Sequence, residues 1–310
     1  MVSCFVPILL LTLTGFADLP KPLPVSAHNC YPHNSQSNSI LVEALKLGID
    51  NIEIDLGWDA SGNRLIVGHD AEPKLGILYP EFEGYLVPAL EDHWRTHQSD
   101  GTPNVLTIDW KTDHPDAIRR FKELLDARPD WFSSAPKADP SPMTRRKLTV
   151  CFTGDDQAKR LYDKLIPQGG TYRAFRDRDY APWELFRKNI NNYAQEPASA
   201  YNRFLSVFWG HVWSQNILGL EVGIPPGLDS KWSKEKEARL KALVARAHKQ
   251  GYQIRFYTLN GEHGGIFDCF LSMPTTVHRW RATVEAGADW VATDEYKEFV
   301  RQLGNPLPVK

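Results

Sequence analysis

Two histidines and three carboxylates stand inside, or at the ends of, three short apolar runs early in the chain. The runs are Val25-Ser26-Ala27 before His28, Asn51-Ile52-Glu53-Ile54-Asp55-Leu56, and Leu65-Ile66-Val67-Gly68 before His69-Asp70. Short apolar runs of this kind read as buried strands. Strand residues i and i+2 share a face, so Glu53 and Asp55 point together while Ile52, Ile54 and Leu56 take the other face. Two carboxylates aimed at one spot repel each other, and must share a proton or bind a cation. The same alternation also describes a half-exposed antiparallel strand. The histidines favour the first reading. Each sits where a strand gives way to a loop, the position from which barrel folds present catalytic groups. An imidazole, with an ordinary pKa of ~6.5, can act there as acid or base.

These residues need a scaffold that points several strand ends at one place. Ser39–Leu47 has apolar residues at helical spacing and Gly48 stops it. Strand, helix and strand in that order imply parallel pairing. Between Asp55 and Arg64 the link is shorter than the dozen residues a parallel crossover needs, so the His69 strand is expected to return as a hairpin or to join irregularly. Further strands are expected at Asn104–Lys111, Lys147–Phe152, Tyr172–Asp177, Phe204–Trp209, Gln253–Asn260 and Ala288–Asp294. Helices are expected at Pro115–Arg128, Ser230–Lys249 and Arg279–Ala286, and an exposed loop at Ala135–Arg146. Helices alternating with parallel strands make an α/β fold, a TIM-like (β/α)8 barrel, irregular around its second and third strands. In the Asn104–Lys111 strand Asp109 and Lys111 share a face, as Glu53 and Asp55 do.

Composition narrows the class. The 310 residues carry a formal charge of -2 without a basic stripe, which argues against a nucleic-acid partner. Ten tryptophans suit either a dense core or an aromatic cleft. Residues 1–17 form an apolar run that is short for a membrane span and ends in small residues, so they read as a signal peptide and the protein as secreted. Residues 18–24 read as a proline-rich linker, 25–304 as a single barrel domain, and 305–310 as a tail. Removing Cys4 with the signal leaves Cys30, Cys151 and Cys269, and so at most one internal disulfide. Cys30 with Cys269 is the suggested pair, and Cys151 reads as a buried thiol.

His28-Asn29-Cys30-Tyr31, Glu53-x-Asp55, Val67-Gly68-His69-Asp70 and Asp109-x-Lys111 together resemble the glycerophosphodiester phosphodiesterase and phosphatidylinositol-specific phospholipase C superfamily. The closer likeness is to the branch described as similar to the yeast "altered inheritance of mitochondria protein 6". Tyr257-Thr258-Leu259-Asn260 and Thr293-Asp294 extend it to the last strand. The sequence departs from the pattern at Cys30, where Asp is usual, and at Asp109, where Glu is usual. The resemblance implies a metal-dependent phosphodiester hydrolase in which His28 and His69 share the acid and base roles. Glu53, Asp55 and Asp109 would hold a divalent cation, Mg2+ or Ca2+. Asn29, Lys111 and Arg173 would contact substrate, Lys111 and Arg173 through phosphate. A local salt pair at Asp109 and Lys111, and a structural ion pair at Arg173, are the alternatives. The implied partner is a small or lipid-derived phosphodiester, with peripheral membrane contact open and a monomer expected.

Two rival readings stand beside this one. A barrel glycosidase also uses paired carboxylates and an aromatic cleft, though it needs neither the two histidines nor a metal. A non-catalytic barrel that binds a ligand or partner would accommodate both departures at Cys30 and Asp109.

Overall fold

The second barrel strand shows how period-two patterning builds the scaffold. Ile52, Ile54 and Leu56 are buried against the outer layer, while Asn51, Glu53 and Asp55 are buried on the other face, in the lumen. The computed structural model describes residues 23–96, 103–138, 142–180, 194–213, 215–217, 220–222, 231–261 and 272–304. Residues 1–17, most of 18–24, Cys269 and 305–310 lie outside them, and with them the expected signal, tail and one half of the suggested disulfide. Cys30 and Cys151 are buried free thiols.

Eight parallel strands close on themselves. They are β1 (Leu23–Ala27), β2 (Ile49–Asp59), β4 (Val105–Trp110), β6 (Thr149–Gly154), β8 (Ala174–Tyr180), β9 (Asn202–Phe208), β12 (Gln253–Tyr257) and β13 (Trp290–Thr293). They pair in that order, and β13–β1 and β1–β2 complete the ring. The irregularity expected near the second strand is a hairpin. β3 (Arg64–Val67) pairs antiparallel with the far end of β2, Leu56 opposite Val67. Gly57 is required there, because a Cβ on it would run into the Asp70 and Ala71 carbonyl oxygens. The bare glycine lets that segment lie across β2, where Trp58 N donates to Ala71 O at 2.8 Å.

Outside the ring lie α1 (Ser39–Lys46), α2 (Phe82–Thr96), α3 (Pro115–Ala127), α4 (Asp156–Leu165), α5 (Lys234–Lys249), α6 (Met273–Glu285) and α7 (Tyr296–Leu303). None among the described residues is long and apolar enough to cross a membrane. Helix starts follow their caps. Asp155 accepts from Ala158 N and Ser233 from Lys236 N, contacts worth about 1 kcal/mol each. The Ser233 cap is why α5 begins at Lys234 rather than Ser230. The last crossover helix is α6, and its Pro274 in the first turn starts it earlier than Arg279. The stretch expected as a loop at 135–146 contributes β5 (Ala135–Pro136), which pairs with β7 (Thr171–Tyr172). A short ribbon, β10 (Gln215–Ile217) with β11 (Leu220–Val222), follows β9.

The aromatics pack mainly between ring and helices. Trp110 stacks on Phe152 with centroids 5.0 Å apart and meets Phe121 edge-on at 5.2 Å. This locks β4 and β6 to α3, and each such pair adds about 0.5–1.5 kcal/mol to its area burial.

Candidate active site

Polar residues that face the lumen at the C-terminal end of the strands meet there. Register places Asp55 of β2 beside Asp109 of β4. Oxygens of Glu53, Asp55 and Asp109 all come within 4.8 Å of one another. Glu53 and Asp55 are fully buried and Asp109 is partly so. Asp109 owes its place to Gly154. With φ at +79°, Gly154 lies so close that a Cβ would strike the Asp109 carboxylate and the Trp110 backbone. Lys111 Nζ bridges Asp55 Oδ2 at 3.0 Å and Asp109 Oδ2 at 2.9 Å. Both the sharing of a lumen face and the local salt pair expected of Asp109 and Lys111 are therefore present at once.

Electrostatics follow from this crowding. Burial, with Asp109 next, pushes the Asp55 carboxyl up to about 6. Burial disfavours the Lys111 ammonium, yet Asp109 and Asp55 hold its pKa above the ordinary lysine value. Asp55 Oδ2 also accepts from Tyr31 Oη at 2.9 Å, whereas Asp55 Oδ1 is buried with no hydrogen-bond partner. An orphaned carboxylate oxygen beside two further carboxylates is a donor set that fits a hard divalent cation.

His28 stands at the end of β1, over the same lumen. Its Nδ1 is 2.8 Å from Asp294 Oδ1 and its Nε2 is 3.9 Å from Glu53 Oε1. Burial works against the imidazolium, but Glu53, Asp294 and Asp55 outweigh it and raise His28 to about 10. Asp294, just past β13, is held by Asn260 Nδ2 at 2.7 Å and Asn29 Nδ2 at 2.9 Å. Asn29 adopts φ +50° and Thr258, between β12 and Asn260, adopts φ +64°. For a β-branched residue that backbone costs about 1–3 kcal/mol, and it turns the chain so that Asn260 reaches Asp294.

His69 follows the hairpin strand β3, and Gly68 N donates to Asp55 O at 3.0 Å. His69 is exposed. Partial loss of water around the ring, then the nearby positive charge of Lys111, lowers its pKa. The surroundings of His28 and His69 thus shift their pKa values in opposite directions.

The structure brings His28, Asn29, Glu53, Asp55, His69, Asp109 and Lys111 to one end of the barrel. It does not bring Arg173 there. Arg173 precedes β8, at the opposite end of that strand from the site, and its Nε pairs with Asp126 at 3.2 Å. This is the structural ion pair named as its alternative, and Arg173 is corrected to that role. Cys30, the departure from the pattern, is buried with Sγ 3.8 Å from Ile40 O.

Several residues at the site carried no sequence signal that singled them out. A cavity of about 850 Å3 runs from His28, Glu53 and Asp109 toward Lys159, Asp179 and Tyr257. Arg255 on β12 lines it and pairs with Glu53. Asp177 on β8 is paired with Lys159 Nζ at 3.0 Å and accepts from Thr153 Oγ1 at 2.7 Å. Tyr257 Oη donates to Asp179 at 3.0 Å. The available clue was a charged residue in an otherwise apolar strand run, as in Ile254-Arg255-Phe256.

No protein-family model and no curated protein matches the sequence. Solved structures share the fold, among them the following two. A phosphodiesterase of Oleispira antarctica in complex with the product sn-glycerol-3-phosphate is 12% identical, with a TM-score of 0.50 over 90% of this chain and 95% of that one. A protein of Silicibacter pomeroyi DSS-3, described as a glycerophosphoryl diester phosphodiesterase, is 13% identical, with a TM-score of 0.53 over 92% of this chain and 94% of that one. The likeness establishes the (β/α)8 barrel.

Proposed function

We propose that this chain hydrolyses phosphodiesters, using a divalent cation together with His28 and His69. The observation that carries the reading is the convergence of Glu53, Asp55 and Asp109 within 4.8 Å at the strand ends that also present both histidines. The shared barrel, and the sn-glycerol-3-phosphate bound as product in the Oleispira antarctica phosphodiesterase, support a small phosphodiester as substrate.

Phosphodiester cleavage needs neutralised non-bridging oxygens, a base for the attacking hydroxyl or water, and an acid for the leaving oxygen. A cation held by Glu53, Asp55 and Asp109 would supply neutralisation, and an all-oxygen donor set suits Mg2+ or Ca2+. Displaced by that cation from its bridge between Asp55 and Asp109, Lys111 would add a positive charge beside the same phosphate. With Nδ1 of His28 turned to Asp294, Nε2 is the nitrogen free to exchange a proton with substrate. The two imidazoles supply the acid and the base that the reaction requires. The Asn29 amide, tied to Asp294, orients this corner and offers a contact to substrate.

Among phosphodiesters with a small phosphorylated head group, the lipid-borne form is the one we favour. The large hydrophobics exposed among the described residues are Leu75, Ile77 and Leu78, all on the segment that follows His69. Their exposure on this segment supports peripheral contact with a membrane. We also propose that residues 1–17 direct secretion and that the protein acts as a monomer.

The test is hydrolysis of bis(p-nitrophenyl) phosphate with added Mg2+ or Ca2+, with EDTA, and with His28→Ala and His69→Ala as separate proteins. Metal-dependent turnover lost in both variants supports the reading. Turnover that survives both substitutions refutes the two-histidine mechanism.

A further inference from the structure

Strand register sets Arg255 of β12 directly beside Ser206 of β9. Ile254 and Phe256 are buried on the other face of the strand, so Arg255 points into the lumen by the period-two rule. Only 6% of it is exposed. Its Nε donates to Ser206 Oγ at 2.7 Å. Its Nη1 donates to Glu53 Oε2 and its Nη2 lies 3.4 Å from Glu53 Oε1. The guanidinium thus grips both oxygens of Glu53 while a serine fixes its own stem. On its other side Glu53 faces His28.

We infer that Arg255 is a positioning residue that fixes the Glu53 carboxylate as a cation ligand. The inference rests on the reading of Glu53, Asp55 and Asp109 as a cation site. Two effects of Arg255 oppose each other there. Its charge repels a cation, and its rigid fork orients the ligand. A planar fork holds a carboxylate in one orientation, whereas a lysine ammonium is a point charge that leaves it free to turn. Residues that orient metal ligands are worth about 10–100-fold in metal affinity. Orientation therefore outweighs repulsion here, since Glu53 is buried and makes its side-chain hydrogen bonds, among the described residues, to Arg255 alone.

The two effects are separated by keeping the charge and removing the fork. Mn2+ is titrated into the full chain without substrate and free Mn2+ is read by electron paramagnetic resonance. The proteins are wild type, Arg255→Lys, Arg255→Met, Ser206→Ala and Asp109→Asn, each checked for folding by circular dichroism. The expected result is affinity weakened about 10-fold or more in Arg255→Lys and Arg255→Met, and about 3-fold in Ser206→Ala, the share of one hydrogen bond. Wild-type affinity in Arg255→Lys with tighter binding in Arg255→Met would make Arg255 a charge balance and overturn the inference. Should neither Arg255 variant fold, unchanged affinity in Ser206→Ala overturns it. Absence of any wild-type binding that Asp109→Asn abolishes would defeat the cation-site reading itself, whereas intact wild-type binding with unchanged variants defeats this inference alone.

Discussion

The hydroxyl of Tyr31 donates to Asp55 Oδ2 at 2.9 Å, tying the loop after β1 to a buried carboxylate of β2. Tyr31→Phe leaves Asp55 dependent on Lys111. A buried acceptor deprived of a partner costs about 1–3 kcal/mol. Urea denaturation in EDTA should show a loss of that size, and an unchanged midpoint would mean the contact carries no stability.

Lys111 occupies the ground between Asp55 and Asp109 that a cation would also claim. Lys111→Met should destabilise the metal-free protein by about 2–3 kcal/mol, somewhat under the 3–5 kcal/mol of a fully buried pair because the side chain is 18% exposed. Mg2+ should restore more stability to this variant than it adds to wild type, since ligand binding to the native state stabilises it by mass action. Thermal melts with and without EDTA measure both, and equal gains would contradict the shared ground.

Gly154→Ala should abolish diester turnover, because its Cβ would push the Asp109 carboxylate out of place. Gly169 is the control. It has φ +78° and open space around it, so Gly169→Ala should cost about 1–2 kcal/mol of backbone strain and leave turnover intact. Turnover in Gly154→Ala equal to that in Gly169→Ala would show that the crowding is relieved harmlessly.

Much of this site was legible because strand period two is a local rule. Glu53 with Asp55, and Asp109 with Lys111, share faces for reasons written within three residues, and the closed barrel then follows from repetition. Arg255 and Asp294 were not legible as partners of the site. Arg255 meets Glu53 across 202 positions and Asp294 meets His28 across 266, distances at which only the closed ring decides who faces whom. Arg173 failed for the complementary reason. A motif-like run placed it near a strand, but its position before β8 rather than after put it at the wrong end.

Acid should weaken the β2–β3 hairpin through Asp59. Ser61 first, then Gly62 N and Arg64, hold its carboxyl down at about 2. A carboxyl lowered on folding adds stability above its ordinary value of 3.8, and that stability drains away as pH falls toward 2. The difference in unfolding free energy between wild type and Asp59→Asn should be constant above pH 5 and shrink toward zero near pH 2. A difference that persists at pH 2 would rule out the carboxylate as its source.

Vesicle cosedimentation tests the exposed segment after His69. Replacing Leu75, Ile77 and Leu78 together by serine should reduce binding to phospholipid vesicles while hydrolysis of a soluble diester stays unchanged. Equal binding by both proteins would remove the membrane from the account.

The ring is completed by pairing β1 with β13, and that closure has a consequence for synthesis on the ribosome. His28 leaves the exit tunnel just behind the first barrel strand, but Asp294 follows 266 positions later, just behind the last. A nascent chain therefore carries an imidazole without the carboxylate that orients it, and a Glu53 without its arginine, until the final strands emerge. On this plan the proposed site is completed in one step, when the last barrel strand pairs with the first, coupled to the slow, long-range pairings that such sheets require.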